Sequence, residues 1–458
     1  MVINVPDLIA PMVAVHKSGV NHSLEWRKHQ LNTLMLMVTE CEKDFTDALY
    51  IDLRKERTEC MYSEILVVKR EITTFLNKLN EWMVPKKVAT PSAASPSICE
   101  ILSVPLSEPG VLVIGPFNYP VTLALMATVG AFGGGNPVVF KPSEQASTVS
   151  ATFAKLVPKY FEKGAFQIVE GGTEETSELM KQHWGMVHFT GSERVGKIIQ
   201  QSAAKTLSPT ILELGGKTPS IIAEDCPDDI SVVCDRLISG KLLNCGQTCV
   251  SPDYVLVHES KLQEFNKAAI CSLEKQFGKD QKDSASELGR IITECHAQRH
   301  VELIEEVEQV DPTKVIYGGS KSCSPVEKYV APTLLLNPPF ECRVMKEEIF
   351  GPILPVISYQ NDDDMFSILD KMPATPLSLY VFTKSRKRYE NIVRKIPSGS
   401  AIMNDTILQL FIPDFPFGGI GTSGIGNYHG EASFTAFTHK KTSQYHLCIA
   451  AADAGGLR

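Results

Sequence analysis

Short apolar runs alternate with helical patterns along the first half of the chain, and this alternation constrains the fold more than any other feature. Five runs have the length and composition of buried strands: 110–114, 137–140, 166–170, 186–190 and 210–214. Helical patterns separate them at 121–132, 149–161, 174–183 and 193–204. Strands that alternate with helices form a parallel sheet with helices on both faces. The pattern predicts an α/β fold whose ligands bind beyond the carboxyl ends of the strands.

The remaining segments predict further elements around this sheet. Residues 23–53 and 62–82 have the apolar periodicity of two long helices. Residues 86–97 are rich in Pro, Ala and Ser, and 98–106 are strand-like, which predicts an extended arm or an edge hairpin. After Cys249 the alternation resumes, with strands at 253–258 and 331–335 and helices at 261–277 and 287–310. We therefore expect a second α/β domain from about Glu213 to Met403.

Composition narrows the functional classes. The 458 residues are 43% hydrophobic and 21% charged, an ordinary globular balance, and the net charge of -8 argues against nucleic acid as the main partner. Twelve scattered cysteines are too sparse for a disulfide framework and favour a reducing compartment. Residues 1–21 lack a signal-peptide pattern, no apolar run reaches about 18 residues, and 450–458 carry no lipid-anchor motif. We expect a cytoplasmic protein without a membrane anchor.

Two motifs combine a nucleophile with a base. Cys249 ends Asn244-Cys245-Gly246-Gln247-Thr248-Cys249, and Glu213 begins Glu213-Leu214-Gly215-Gly216-Lys217. A thiolate can attack a carbonyl, and a carboxylate can then activate the water that releases the acyl group. Each motif alone is modest evidence, because most single cysteines serve packing.

Other motifs leave alternatives open. Gly191 to Gly196 follow a strand and open a helix, which suits either a dinucleotide phosphate or a plain turn. Lys141 and Glu144 could hold ribose hydroxyls or could simply be surface charges. The Asn118 amide, between Pro116 and Pro120, could face an oxyanion or could cap the next helix.

A metal site is not expected. His296 and His300 have the i, i+4 spacing of a metal site, but Ala297 stands where H-E-x-x-H requires Glu. Cys245 and Cys249 are four residues apart and have no second pair to complete a zinc site. Cys245 is interpreted as a packing residue close enough to Cys249 to form a disulfide under oxidation.

Taken together, the motifs resemble those of the aldehyde dehydrogenase superfamily. The segments that carry the resemblance, in family order and spacing, are Pro116-Phe117-Asn118-Tyr119-Pro120, Lys141-Pro142-Ser143-Glu144, Phe189-Thr190-Gly191-Ser192, Glu213-Leu214-Gly215-Gly216-Lys217, Gly246-Gln247-Thr248-Cys249 and Glu347-Glu348-Ile349-Phe350-Gly351-Pro352. Pro252-Asp253-Tyr254 and the stretch from Phe415 to Gly430 resemble the class 3 branch, which includes fatty and aromatic aldehyde dehydrogenases. The chain departs from the family at Phe117, where Trp is usual.

The resemblance implies a role for each matching residue. Cys249 would be the nucleophile, Glu213 the general base, and Asn118 part of the oxyanion hole. The residues implied for NAD, and possibly NADP, are Gly115, Pro116, Phe117, Lys141, Glu144, Gly191, Ser192, Val195, Gly196, Leu214, Glu348 and Phe350. Tyr119, Thr248 and Phe411 would shape the substrate pocket.

The resemblance also implies an architecture and an activity. It implies a Rossmann-like cofactor domain at 1–85 and 104–212, an α/β catalytic domain at 213–403, and a bridging and oligomerisation arm at 86–103 and 404–458 that pairs two copies into a homodimer. The expected reaction oxidises a medium- or long-chain aliphatic or an aromatic aldehyde to the acid through a cysteine thiohemiacetal and thioester. The alternatives are a CoA-acylating enzyme and a catalytically silent binding or structural protein on the same scaffold.

Overall fold

The computed structural model describes residues 4–282, 287–373 and 375–446. Within them the strands are β1 Lys86–Val88, β2 Ser97–Pro105, β3 Val111–Ile114, β4 Val138–Lys141, β5 Phe166–Ile168, β6 Met186–Thr190, β7 Thr210–Glu213, β8 Pro219–Ile222, β9 Tyr254–His258, β10 Val315–Tyr317, β11 Thr333–Leu336, β12 Ile353–Tyr359, β13 Ser378–Phe382, β14 Ser400–Met403, β15 Gly424–Ile425 and β16 Thr438–His446. The helices are α1 Val5–Ser18, α2 Leu24–Glu40, α3 Glu42–Leu53, α4 Arg57–Cys60, α5 Leu66–Trp82, α6 Thr122–Gly134, α7 Ser147–Tyr160, α8 Thr173–Leu179, α9 Glu193–Thr206, α10 Ile230–Leu242, α11 Leu262–Phe277, α12 Glu294–Val310, α13 Arg343–Lys346, α14 Asp362–Leu369, α15 Arg386–Lys395 and α16 Gly430–Ala436.

The predicted parallel sheet forms the first half of the molecule. Its strand order is β15-β7-β6-β3-β4-β5, and all its pairs are parallel except the short β15 against β7. Lys141 lies opposite Ile114, and Thr190 lies opposite Glu213. The carboxyl ends of four strands therefore meet at one edge, as expected for a ligand site in such a sheet.

A second sheet has seven strands in the order β10-β11-β12-β9-β8-β13-β14. Only β10 is antiparallel to its neighbour. Its strands β8, β9 and β13 are almost wholly buried between α10–α12 and the rest of the core. This sheet follows Glu213 directly, so the chain passes from one sheet to the other at the end of β7.

A three-stranded antiparallel sheet lies apart from these two. β2 pairs with β1 and, from Pro105 to Ser97, with the whole of β16. Most of β16 is exposed. The division of the chain at residues 85, 103, 212 and 403 stays a prediction, and the expected character of residues 450–458 falls outside the described part.

Several predicted helices have different bounds. The helix expected at 23–53 is two helices that meet at Cys41, and the one at 62–82 begins with a π turn at Met61–Ile65. The helix expected at 174–183 ends at Leu179. The helix expected at 287–310 begins only at Glu294, where Thr293 accepts a hydrogen bond from the His296 amide.

Two apolar cores support the larger sheets. One packs α2, α3, α5, α6 and α7 against the six-stranded sheet, and α6 is buried on every side. The other packs α10, α11 and α12 against the seven-stranded sheet. None of the helices in the described residues has both the length and the hydropathy needed to cross a bilayer.

Candidate active site

A cavity of about 1090 Å³ lies beyond the carboxyl ends of β3, β4, β6 and β7. Cys249, Glu213 and Asn118 all line it. So do the following residues expected to bind the cofactor: Gly115, Pro116, Phe117, Lys141, Glu144, Gly191, Ser192, Val195, Leu214, Glu348 and Phe350. Gly196 lies behind this lining, where an added Cβ would stand 2.6 Å from Leu214 Cδ2. Gly196 therefore lets α9 pack closely against Leu214.

A second cavity, of about 50 Å³, adjoins the nucleophile. Tyr119, Thr248 and Phe411, the three residues expected at the substrate, line it together with Cys249. The Tyr119 hydroxyl is 2.7 Å from Thr248 Oγ1. Cys249 thus borders both the large and the small cavity.

The loop that carries Cys249 has an unusual backbone. Asn244 and Cys245 have φ of 53° and 55°, a left-handed conformation that few non-glycine residues adopt. The Gln247 side chain fixes the loop, because it donates to the Asn244 and Arg290 carbonyls and accepts from the Ile292 amide, each at 3.0 Å. Cys249 remains partly exposed at the end of this loop, whereas Cys245 is buried.

The surroundings of Cys249 disfavour its thiolate form. Burial, together with the carboxylates of Glu348 and Glu213, raises the pKa of Cys249 to about 12. Burial raises the pKa of Cys245 to about 12 as well. A positive charge or a base at Cys249 is needed to form the reactive thiolate.

The structure excludes one of the two interpretations of Asn118. The side-chain Nδ2 of Asn118 donates to the Gln247 backbone carbonyl at 3.0 Å. The backbone carbonyl of Asn118 accepts from Asn244 Nδ2 at 2.8 Å. The amides at the start of α6 are bonded instead by Glu64, whose Oε2 accepts from Thr122 N at 2.8 Å. The interpretation of Asn118 as a helix cap is therefore wrong. Its amide is fixed beside the nucleophile loop.

Glu213 ends β7 in an apolar setting. The residue is 2% exposed, and neither carboxylate oxygen has a hydrogen-bond partner among the described residues. Burial raises its pKa well above the ordinary value. Once it is deprotonated, a carboxylate with a raised pKa accepts a proton from water more readily than an exposed glutamate does.

The far end of the large cavity combines a lysine with a helix start. Lys141 is buried, and its Nζ is 2.7 Å from Glu144 Oε2. Ser192 caps α9 by accepting from the Val195 amide at 3.4 Å. The start of a helix suits the phosphates of a dinucleotide, and a lysine paired with a carboxylate suits ribose hydroxyls.

Three aromatic rings, with Phe117 in contact with the other two, line the same cavity and form an aromatic wall. The Phe117 ring centroid lies 5.6 Å from that of His296 and 5.9 Å from that of Phe350. His296, which had the spacing of a metal ligand, contributes a ring to this wall. Across the described residues, no group of three His, Cys, Asp or Glu side chains could hold a metal ion.

A set of buried charges that sequence reasoning did not assign holds the segment around Glu348. Lys217 forms a buried ion pair with Asp253 and donates to the Val344 and Glu347 carbonyls, both at 2.8 Å. Asp253 Oδ1 accepts from the Ile349 amide at 2.9 Å. Lys217 and Asp253 both belong to motifs that were recognised in the sequence. Their charges within those motifs were the feature that could have identified them.

Arg299 holds the same segment from the other side. Its guanidinium donates to the Glu348 carbonyl at 2.8 Å and to the Ile349 carbonyl at 2.9 Å. The Glu348 carboxylate accepts from the Gly216 amide at 3.2 Å, and burial raises its pKa to about 8. We call Lys217, Asp253 and Arg299 the loop clamp.

Comparison with known proteins places this geometry in a family. The model of the aldehyde dehydrogenase family matches residues 12–443. The chain belongs to the aldehyde dehydrogenase family. The family makes it an oxidoreductase that acts on aldehydes with a nicotinamide cofactor, as the motifs predicted.

Individual relatives of this aldehyde dehydrogenase indicate the branch of the family to which it is similar. Aldehyde dehydrogenase family 3 member H1 of Arabidopsis thaliana is 38% identical, over 96% of this chain and 89% of its own length. The dimeric NADP-preferring aldehyde dehydrogenase of Canis lupus familiaris is 36% identical, over 95% of this chain and 93% of its own length. AldH of Staphylococcus aureus, solved in a substrate-bound state, has a TM-score of 0.91 and 34% identity, over 97% of this chain and 94% of its own. The predicted resemblance to class 3 and the predicted fold are confirmed.

Proposed function

We propose that this aldehyde dehydrogenase oxidises an aliphatic or aromatic aldehyde by attack of the Cys249 thiolate on the carbonyl. The observation that carries the proposal is the position of Cys249, which borders the small cavity on one side and shares the large cavity with Glu213 and Asn118 on the other. Attack gives a thiohemiacetal, and loss of hydride from its carbon gives a thioester. Water then releases the carboxylic acid and regenerates the thiol.

The chain's own groups support each step. Asn118 Nδ2 already donates one hydrogen to Gln247, which leaves its second hydrogen for the oxyanion at Cys249. Glu213, with two unpartnered oxygens among the described residues, takes the proton of the attacking water. NAD(P), when bound in the large cavity, supplies the hydride acceptor and a positive charge beside the thiol.

The cavity fits that cofactor. Lys141 and Glu144 would hold the adenosine ribose, and Gly191 and Ser192 would lie at the pyrophosphate, where α9 begins. Glu348 and Phe350 would position the nicotinamide ribose and ring. We propose NAD as the cofactor with some use of NADP, since the canine relative is NADP-preferring.

We also propose a homodimer in the cytoplasm. The canine relative is dimeric, and the exposed edge of β16 in the three-stranded sheet is suited to pair with a second copy. The sparse cysteines of the sequence support a reducing compartment. The division into a cofactor domain, a catalytic domain and this arm belongs to the same proposal.

The decisive experiment separates the two chemical stages. We expect Glu213→Gln to release one equivalent of reduced cofactor in a burst and then to turn over slowly, because Gln keeps the shape but cannot accept the proton of water. Rapid-mixing absorbance of the reduced cofactor measures the burst. Loss of the burst along with the steady state would assign Glu213 to the first stage.

Two controls address the rival functions. Cys249→Ala should abolish aldehyde oxidation yet still bind NAD, and retained turnover would mean that another group is the nucleophile. Acceleration of thioester release by CoA would favour the CoA-acylating alternative. Failure of the wild-type protein to oxidise any aldehyde in a panel of increasing length would favour the catalytically silent scaffold.

A further inference from the structure

Both apolar and polar side chains line the small cavity beside Cys249. The apolar side chains are Val67, Leu123, Met126, Leu243, Leu410, Phe411 and Phe417. Besides Ser63, Tyr119 and Thr248, the polar side chains are Thr122, Tyr428 and His429, and we call these last three the polar wall. The motifs in the sequence had given none of these three residues a role.

Each member of the polar wall has a buried polar atom that lacks a partner in the described part of the chain. These atoms are Thr122 Oγ1, Tyr428 OH and His429 Nε2, and the residues are 7%, 0% and 6% exposed. An unpartnered buried polar group costs roughly 1–3 kcal/mol, and most such groups in proteins are bonded. Three around one cavity therefore indicate that they bond to something that enters it.

The fold holds the wall in place without satisfying those atoms. The backbone of Tyr428 is bonded to that of Phe417 in both directions at 2.8 Å. The His429 ring stacks on Phe417 at 5.3 Å, and the His429 amide donates to Ser433 Oγ at 2.7 Å. The amide of Gly430 donates to Glu71 Oε1 at 2.7 Å. These bonds fix the side chains toward the cavity.

The wall is uncharged at neutral pH. Burial raises the pKa of the Tyr428 phenol and lowers the pKa of His429 to about 3. The lining of this cavity as described contains no lysine or arginine. A carboxylate would find no positive partner there, whereas a neutral hydroxyl or keto oxygen would match hydroxyl and imidazole groups.

We propose that the polar wall binds a neutral hydroxyl or keto oxygen in the substrate's tail, and that this aldehyde dehydrogenase therefore prefers oxygenated aldehydes. The proposal rests on the proposed function and specifies its substrate class. The oxygen must lie within a few carbons of the reacting carbonyl, because the cavity is only about 50 Å³ and borders Cys249. That volume exceeds the roughly 10–15 Å³ that a single water needs.

A matched pair of substrates tests the proposal on the unaltered enzyme. 3-Hydroxybenzaldehyde and 3-methylbenzaldehyde have nearly the same shape, and a substituent at this position alters the carbonyl little. We expect kcat/KM to be at least about tenfold higher for the hydroxyl compound, the ratio for one well-made hydrogen bond. A second pair, 3-hydroxybutanal and butanal, tests the aliphatic case. Ratios near one in both pairs would overturn the proposal.

Variants locate the effect. Tyr428→Phe and Thr122→Val should lower kcat/KM for the hydroxyl compounds and bring the ratio toward one, with little change for the methyl and alkyl compounds. Tyr380→Phe is the matched control, because the buried Tyr380 hydroxyl already donates to the Val250 carbonyl at 2.7 Å. It should leave the ratio unchanged.

The outcomes distinguish this inference from the proposed function. Equal losses for both members of a pair in Tyr428→Phe would show that the wall binds water or serves the fold alone, and the inference would be wrong. Oxidation of every aldehyde at similar rates would overturn the substrate preference and leave the proposed function intact. Oxidation of none would overturn the proposed function itself.

Discussion

At the scale of single residues, burial of a carboxyl group sets the pKa on which the proposed chemistry depends. Glu213 is 2% exposed without a partner in the described residues, so its pKa lies above the ordinary value. Below that raised pKa the carboxyl group is protonated and cannot accept a proton from water. Release of the thioester should therefore speed up as pH rises through it.

The pH profile of single turnovers checks this sign. We expect the rate of acid release to rise with pH, with a midpoint above the ordinary value of about 4.3 for glutamate. In Glu213→Gln the rise should disappear and the slow rate should stay flat. The same rise in both proteins would show that a group other than Glu213 controls the step.

Single residues also mark the limit of local sequence reasoning. The motifs identified Cys249, Glu213 and Asn118, and all three line one cavity. Whether Asn118 capped a helix or faced the nucleophile was undecidable locally, because its partner Gln247 is 129 positions away. The polar wall was hidden for the same reason, since Thr122 and His429 meet only in the folded chain.

At the scale of elements, the segment after α13 is held by the loop clamp rather than by regular structure. Asp253→Asn should loosen it, because Lys217 would then be buried without an anion. We expect KM for NAD to rise about tenfold with a smaller change in kcat, as one positioning interaction is lost. The melting temperature should fall as well, since breaking a buried pair costs about 3–5 kcal/mol.

An exposed ion pair supplies the control for that prediction. Asp47 pairs with Lys43 on α3, and both side chains are mostly exposed. Asp47→Asn should leave both KM and the melting temperature nearly unchanged, because surface pairs contribute about 0–1 kcal/mol. A lower melting temperature in Asp253→Asn with an unchanged KM would limit the clamp to a structural role.

Helices and strands could be predicted from the sequence where a short stretch of apolar residues was enough to define them. The five parallel strands of the first sheet were found because each is a short apolar run between helices, whereas the two-residue β15 was missed. Five strands of the second sheet were also missed, and four of them are parallel strands, which lack an alternating pattern. The helix expected from residue 287 was too long because 290–292 are held extended by tertiary bonds, including Arg290 N to the Leu53 carbonyl at 2.7 Å.

At the scale of the whole molecule, the large cavity joins the two sheets. Lys141 and Gly191 come from the first sheet, whereas Cys249 and Phe350 come from the chain around the second. A cofactor bound there contacts both and should stabilise the folded chain as one unit. A ligand at one hundred times its Kd adds about 2.7 kcal/mol. Thermal melting can therefore rank cofactors independently of turnover.

Cofactor choice is the property that this measurement resolves. Burial alone would raise the pKa of Glu144, but the hydrogen bond from Lys141, a backbone hydrogen bond and the charge of Lys141 together keep the pKa below the ordinary value. The resulting carboxylate would accept from both ribose hydroxyls of a bound NAD and would repel the extra phosphate of NADP. Lys141 attracts that phosphate, so the wild-type enzyme should prefer NAD and still use NADP.

Glu144→Gln removes the negative charge and frees Lys141. We expect the ratio of kcat/KM for NADP to that for NAD to rise about tenfold, with a matching increase in the thermal stabilisation by NADP. The reason is that the repulsion between Glu144 and the extra phosphate is lost while Lys141 remains. Glu390→Gln, which alters an exposed carboxylate paired with Arg386, is the control and should change neither ratio. If the NADP-to-NAD ratio of Glu144→Gln equals that of the wild type, Glu144 points away from the 2′ position and cofactor choice is set elsewhere in the cavity.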